Sequence, residues 1–237
     1  MVSDELIRAA ILLSEIWTEA IEDASRVYFG KNDSETMINN LRDLHKMMEK
    51  EPETMNEINF YQGFASDLEE AQLWTLQYQK TKNQADMNQA WDIYFNAFKR
   101  IQSKYQNVQF YELRNVAPKL LASENLQLAV PGTFTCDRRV TRIAKFSQVL
   151  PVFSSKQHPR KLSLMGDDGR EYVFLLKGHE DTRQDERVMQ LFGLVNTLLM
   201  TDSKTCKKDL SIRRYSVIPL SHQAGLIGMV PNTDTLN

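Results

Sequence analysis

A mostly apolar run from Tyr172 to Leu176 ends on a single cation, Lys177, and Gly178 breaks it. Glu180, Asp181, Asp185 and Glu186 follow closely. A strand that delivers a lysine to a helix opening with carboxylates can do one of two things. It can grip the phosphates of a nucleotide, with a carboxylate holding the lysine charged, because an unpaired ammonium in a low-dielectric cleft is costly. Or the lysine is a surface cation, and the acids simply offset the positive end of the helix macrodipole. Spacing alone leaves both open. Other reactive residue types are not arranged for chemistry. His45, His158, His179 and His222 form no His-Glu-x-x-His or paired ligand set. Cys136 and Cys206 have no Cys or His at metal spacing, and no Gly-x-Ser-x-Gly elbow occurs.

The bulk properties narrow the class further. A formal charge of −2 supplies no global basic field for nucleic acid. No apolar run reaches the roughly 20 residues of a membrane span. Asp4 and Glu5 stand where a signal peptide would be basic. Two cysteines in 237 residues fit a reducing, intracellular setting.

The elements that must position Lys177 fall into two halves. Up to about Gln106 the apolar residues have a helical period. Leu6, Ala10, Leu13, Trp17, Ala20, Ala24 and Val27 share one face of a first helix, stopped by Gly30. Asn32 and Glu35 read as a capping box. Met37, Leu41, Leu44 and Met48 make a second face, closed by Pro52; Phe60, Phe64, Leu68, Ala71, Thr75 and Tyr78 make a third. After the polar connector Lys-Thr-Lys-Asn-Gln-Ala-Asp, a fourth carries Met87, Trp91, Tyr94, Phe98, Ile101 and Tyr105. Residues 1–106 therefore predict an antiparallel four-helix bundle. Residues 107–125 lose both periods and read as a linker. From 126 to 237 six short β-branched runs predict an antiparallel sheet, with a hairpin turn at Gly166–Gly169 whose Asp168-Gly169 suits positive φ. One helix, about 181–200, packs on it through Val188, Leu191, Val195 and Leu198. The fold class is α+β.

Several stretches resemble one family in its own order. They are Leu128–Thr133, Ser154–Gly166, Leu175–Leu199 and Tyr215–Gly228, preceded by Glu-Leu-Ile-Arg-Ala-Ala-Ile-Leu, Glu-Asp-Ala-Ser-Arg-Val-Tyr-Phe-Gly and Asn-Gln-Ala-Trp-Asp-Ile-Tyr-Phe-Asn-Ala-Phe. The chain resembles the phosphatidylinositol 3-kinase-related protein kinases, and within them the target-of-rapamycin (TOR) group. The resemblance covers nearly the whole chain. It implies a rapamycin-binding (FRB) four-helix domain followed by a kinase N-lobe that binds ATP. Lys177 becomes the phosphate-contacting lysine, with Glu180 or Asp185 to orient it. Ser155 and Lys156 lie in a loop that replaces a glycine-rich one. Leu175, Tyr215 and Ile227 line the adenine pocket, and the backbone of Gly228, Met229 and Val230 forms the hinge. Met229 departs from the family's usual tryptophan and implies weaker stacking with planar inhibitors.

In the first half the resemblance implies a groove for the macrolide rapamycin carried by its immunophilin, formed by Ile21, Ser25, Tyr28, Phe29, Asn88, Trp91, Asp92, Phe95 and Phe98. Small Ser25 leaves room for the drug, and Phe95 replaces a frequent tyrosine. The residues alone leave open whether these aromatics are bundle core or an exposed groove. The parent kinase is expected to be cytoplasmic, peripheral to endomembranes through complex partners. Its other expected partners are protein substrates, TOR-complex scaffold subunits and phosphatidic acid. No Asp-Phe-Gly occurs, and the Asp-Arg after Cys136 lacks the following Asn of a catalytic loop. The Mg²⁺ ligands are expected in an absent C-lobe, and these residues alone are expected not to transfer phosphate. The alternative is a non-catalytic module that uses only the helical groove.

Overall fold

The computed structural model describes residues 1–31, 33–134 and 139–233. The chain divides into two units, Leu12–Val108 and Met1–Ile11 with Gln109–Asn237.

The sheet unit begins with α1 (Val2–Ala10). The helical unit then contains α2 (Leu13–Lys31), α3 (Ser34–Met48), α4 (Met55–Thr81) and α5 (Gln84–Tyr105). The sheet unit resumes with β1 (Phe110–Glu112), α6 (Leu113–Val116), α7 (Pro118–Leu121), β2 (Ile143–Phe146), β3 (Val149–Pro151), β4 (Arg160–Gly166) and β5 (Glu171–Gly178). It ends with α8 (Arg183–Thr201), a 3-10 turn (Cys206–Lys208), β6 (Val217–Pro219) and β7 (Ala224–Gly228).

In the helical unit the periods hold. Trp17, Ile21, Met37, Leu41, Phe60, Phe64, Leu68, Met87, Tyr94 and Ile101 form one core. The helix starts are chemically specified. Thr54 and Glu57 form a reciprocal capping box at α4, and Asn83 caps α5. The polar connector shrinks to Lys82 and Asn83, with Lys82 left-handed at φ 56°. The expected cap of α3 falls elsewhere. Asn32 lies outside the described residues, and Asp33 accepts from the Thr36 N–H at 3.0 Å, while Glu35 pairs with Lys82.

The first helix is interrupted, against the expectation of one continuous helix. The apolar period runs unbroken from Leu6 to Val27, yet Ile11 is extended (φ −136°, ψ 107°) and separates α1 from α2, which itself runs through Gly30. Arg160, fully buried, donates from Nη1 to the Ala10 carbonyl at 2.8 Å, and Glu15 Oε2 accepts the Leu12 N–H at 3.1 Å. Each helix end thus has a partner for a group left over at the break.

The sheet is five-stranded and antiparallel, ordered β2-β4-β5-β7-β6; β1 and β3 form a separate pair. β4 and β5 join through the expected turn, with Gly169 at φ 76°. Leu162, Leu164, Phe174, Leu176 and Leu226 bury one face. α1 packs against β5 and β7. Residues 107–125, read above as a linker, supply core instead: Leu113, Val116, Ala117 and Leu120 are at most 1% exposed.

α8 forms where expected, but its buried side differs. Val188, Leu191 and Leu198 are exposed, Val195 is half-buried, and Met189 is the buried residue of the helix. Beside Met189, the inward side carries the small Gly193 and the polar Asn196. A Cβ on Gly193 would lie 2.8 Å from Arg214 Nη1, and the Asn196 amide exchanges two hydrogen bonds with the Ile212 backbone at 2.7 and 2.8 Å. Asn196 thus pairs with backbone as a neighbouring strand would.

Candidate functional site

The face of the sheet opposite the core carries the expected nucleotide residues. Register places Leu175 opposite Ile227 and Lys177 opposite Gly225, so Leu175, Lys177 and Ile227 share that face. Val217 also faces Ile227, and Tyr215 lies two residues upstream of it.

Lys177 Nζ meets Glu180 Oε2 at 3.0 Å, with the lysine side chain 26% exposed. The turn between them passes through His179 in the left-handed region at φ 57°. This turn folds the acid back onto the lysine within three residues. The remaining acids are placed differently. Asp181 is gripped by Arg183 at Nε and Nη2, and these hydrogen bonds hold its carboxyl down to about 2. Glu186 accepts from Gln190 at 3.4 Å. The Asp185 side chain makes no hydrogen bond or ion pair among the described residues. Of the two acids that could orient the lysine, the structure pairs Glu180.

At the expected hinge two amides are already committed to the sheet. Gly228 N–H donates to Ser216 O at 2.7 Å and Met229 N–H to Val173 O at 3.0 Å. The Val230 carbonyl accepts from the Thr233 hydroxyl at 2.8 Å. An open cleft of about 520 Å³ is lined by Tyr215, Gly228, Met229 and Val230, together with Lys161, Arg213 and Arg214. Leu175, Lys177, Glu180, Ile227 and Ser155 do not line it. The three cations of this cleft carry no shared signal in the sequence, since Lys161 lies in β4 and the adjacent Arg213 and Arg214 in the loop before β6.

The loop holding Ser155 and Lys156 is closed on itself. Phe153 N–H donates to Pro159 O at 3.0 Å, Ser155 N–H to Phe153 O at 2.9 Å, and His158 N–H to Ser155 O at 3.0 Å. His158 turns it at φ 43°. Both Ser155 and Lys156 are exposed. Among the described residues no group of three His, Cys, Asp or Glu side chains is gathered for a metal ion, and no helix is long and apolar enough to cross a membrane.

In the helical unit, α2 and α5 bring two aromatic groups to the surface. Tyr28, Phe29 and Trp91 meet with ring centroids 4.9 to 6.0 Å apart, and Phe29 is 65% exposed. Gln84 Nε2 bonds the Tyr28 hydroxyl at 2.6 Å and Asn88 Oδ1 at 3.4 Å. One turn along α5, Phe95 stacks with Phe98, and Lys99 Nζ lies 4.2 Å from the Phe95 ring centroid. Ser25 is half-buried, Asp92 exposed, and Ile21 belongs to the core.

The comparisons with known proteins agree with both halves. A family model for the FKBP12-rapamycin binding domain matches residues 5–103, and one for phosphatidylinositol 3- and 4-kinase matches residues 171–237. Relatives named serine/threonine-protein kinase TOR include one from Oryza sativa, 52% identical over 237 residues, and one from Arabidopsis thaliana, 52% identical over 241 residues. TOR2 of Saccharomyces cerevisiae is 48% identical over 238 residues. All three alignments cover 100% of this chain and 10% of the relative. The chain thus spans about a tenth of the length of these relatives.

Proposed function

This chain belongs to the target-of-rapamycin family of serine/threonine-protein kinases, with an FRB domain and the start of a kinase domain, and we propose that its sheet unit binds the nucleotide for a kinase that phosphorylates protein Ser/Thr. The observation that carries this reading is the Lys177–Glu180 pair at 3.0 Å, on the same sheet face as Leu175 and Ile227. Leu175, Ile227, Tyr215 and Met229 give the adenine an apolar seat. With the Gly228 and Met229 amides committed, the Val230 N–H is the hinge donor for its edge. Lys177 contacts the phosphates, Glu180 holds its ammonium in place, and the Ser155–Lys156 loop covers them. Bound ATP supplies the transferable phosphoryl group; Mg²⁺ would accompany ATP as the counter-ion of its phosphates. The site is intracellular, and protein substrates, scaffold subunits and phosphatidic acid are partners of the longer kinase.

The test compares ATP with adenosine, which lacks phosphates, on the 237-residue chain. Lys177→Met is expected to weaken ATP about tenfold, the value of one charged hydrogen bond, and to leave adenosine unchanged. Equal ATP affinity in both proteins would remove Lys177 from the phosphate site.

Met229, 40% exposed in the cleft, sets a second expectation. In a complete kinase, Met229→Trp should tighten planar ATP-competitive inhibitors roughly threefold to tenfold, since an aromatic pair adds about 0.5–1.5 kcal/mol. Inhibition curves that coincide would show that stacking at 229 contributes nothing.

The helical unit carries a second function. The exposed Phe29 against Trp91, beside Ser25, supports a groove that receives rapamycin presented by its immunophilin, at the surface that recruits substrates in the longer kinase.

A further inference from the structure

The end of the sheet that presents Lys177 holds two glycines with no room for a side chain. Gly178 follows Lys177 directly. A Cβ there would meet Ile11 Cγ1 at 2.8 Å and the Ala10 carbonyl carbon at 3.0 Å. Gly225 is the cross-strand partner of Lys177. A Cβ there would lie 2.8 Å from Thr182 Cγ2 and 2.9 Å from Thr182 Cβ. These distances fall well inside the 3.5–4.0 Å or so of a relaxed carbon–carbon contact. Neither glycine has positive φ, so what each provides is space rather than backbone freedom.

The occupants of that space are helix ends. At Gly178 it is the C-terminus of α1, held by the buried Arg160 guanidinium on the Ala10 carbonyl. At Gly225 it is Thr182, which begins α8. A threonine at a helix start ordinarily caps it. Thr182 does not. It is fully buried, its side chain makes no cap bond, and its hydroxyl has no hydrogen-bond partner among the described residues. An unbonded buried hydroxyl is unfavourable, so the residue acts here through its shape, as a wedge in the hollow above Gly225. Glu180 lies two residues before this wedge, and its N–H bonds Gln223 O at 3.3 Å, next to β7. The segment carrying Glu180 is thereby pinned at both ends: at Gly178 by α1 and at Gly225 by Thr182.

We propose that Gly178 and Gly225 are positioning residues of the nucleotide site, which seat α1 and Thr182 on the sheet and thereby hold Glu180 against Lys177. This rests on the reading of Lys177 as the phosphate-contacting lysine. Its consequence is selective. Unseating Thr182 weakens the grip on phosphates and leaves the adenine seat, built from Leu175, Ile227 and the hinge, intact.

The readout is the preference for ATP over adenosine, measured by calorimetry on the whole chain. Lys177→Met defines the preference without the lysine. Gly225→Ala is expected to fall to within about twofold of that value with adenosine affinity unchanged. Thr182→Gly, which removes the wedge and adds no atom, is expected to lower the preference about threefold even if Gly225→Ala does not fold. The double variant Gly225→Ala/Thr182→Gly moves the methyl from wedge to hollow and is expected to regain most of the preference. Thr182→Val keeps the shape without the hydroxyl and should match the parent. Four results overturn the proposal: a parental preference in Thr182→Gly, equal loss of ATP and adenosine in that variant, a folded Gly225→Ala that keeps the parental preference, or a folded double variant no better than Gly225→Ala. If the parent and Lys177→Met do not differ, the reading of Lys177 falls and takes the proposal with it.

Discussion

Acidifying the protein from pH 7 to pH 4 is expected to cost the helical unit about 3 kcal/mol of stability through one residue, His45. The imidazole is 5% exposed, edge-on to Trp17 at 5.0 Å, with Nε2 2.8 Å from the Tyr94 hydroxyl. Burial pushes its pKa from 6.5 down to about 4. The small cavity beside it, about 20 Å³, has Arg42 and no carboxylate in its lining, so no counter-charge there stabilises an imidazolium. Burial likewise raises the Tyr94 phenol, which stays neutral and can donate to the unprotonated Nε2. The sign follows from the folded value lying below the unfolded one. Above pH 6.5 neither state is protonated and the unit has its full stability. Between pH 6.5 and 4 the unfolded chain binds a proton that the folded chain refuses, and stability falls by about 1.4 kcal/mol per pH unit. Below pH 4 this loss is complete. Trp17, Trp74 and Trp91 all lie in the helical unit, so urea unfolding followed by tryptophan fluorescence reports it. Carboxylates titrate too, and His45→Gln isolates the histidine: it should flatten the profile between pH 6.5 and 4.5. A profile unchanged by the substitution would mean that His45 is not the acid-sensitive group.

Enlarging Ser25 is expected to abolish most binding of the rapamycin–immunophilin complex, about 100-fold for Ser25→Trp. Ser25 lies one turn before Phe29 and three residues before Tyr28 on α2, so its side chain borders their ring cluster with Trp91. The surroundings are already packed: Tyr28 is buried and hydrogen-bonded to Gln84, and Ala24 beneath is fully buried. An indole there must project over the Phe29–Trp91 surface and occupy the volume of the proposed macrolide groove. Overpacking of a preformed apolar site costs on the order of 1–3 kcal/mol, the upper end of which is about 100-fold in affinity. The measurement is a titration of the chain with rapamycin-loaded immunophilin. A matched substitution in the exposed Arg26–Asp23 pair should leave affinity unchanged. If Ser25→Trp binds like the parent, the drug does not sit beside Phe29 and Trp91.

Three departures in the sheet unit have causes that no local pattern displays. The break at Ile11 could not be seen in a sequence whose apolar period continues through it, because the group that takes the Ala10 carbonyl, Arg160, is 150 residues away. The short helices α6 and α7 are too brief to show a period, yet they bury Leu113, Val116 and Leu120. In α8 Asn196 faces the backbone at Ile212, while Val188, Leu191 and Leu198 of the apolar stripe stay exposed. His45 was legible in part: it follows Met37 and Leu41 at helical spacing, which places it on the buried side of α3. That its partner would be Tyr94, 49 residues on, was not.

Local patterns sufficed for the core face of each bundle helix, for the β4–β5 hairpin with Gly169 at its turn, and for one lysine with acids close behind it. Each depends on backbone period or on neighbours a few residues apart, where chain geometry leaves few choices. Folding in three dimensions decided which acid meets Lys177, where α1 stops, and why Gly178 and Gly225 carry no side chain. Those outcomes turn on atoms brought together from distant segments: Ala10 against Gly178, Thr182 against Gly225, Arg160 against Ala10. Excluded volume and buried polar pairing act between such segments after the chain closes on itself, and no window of sequence contains both partners.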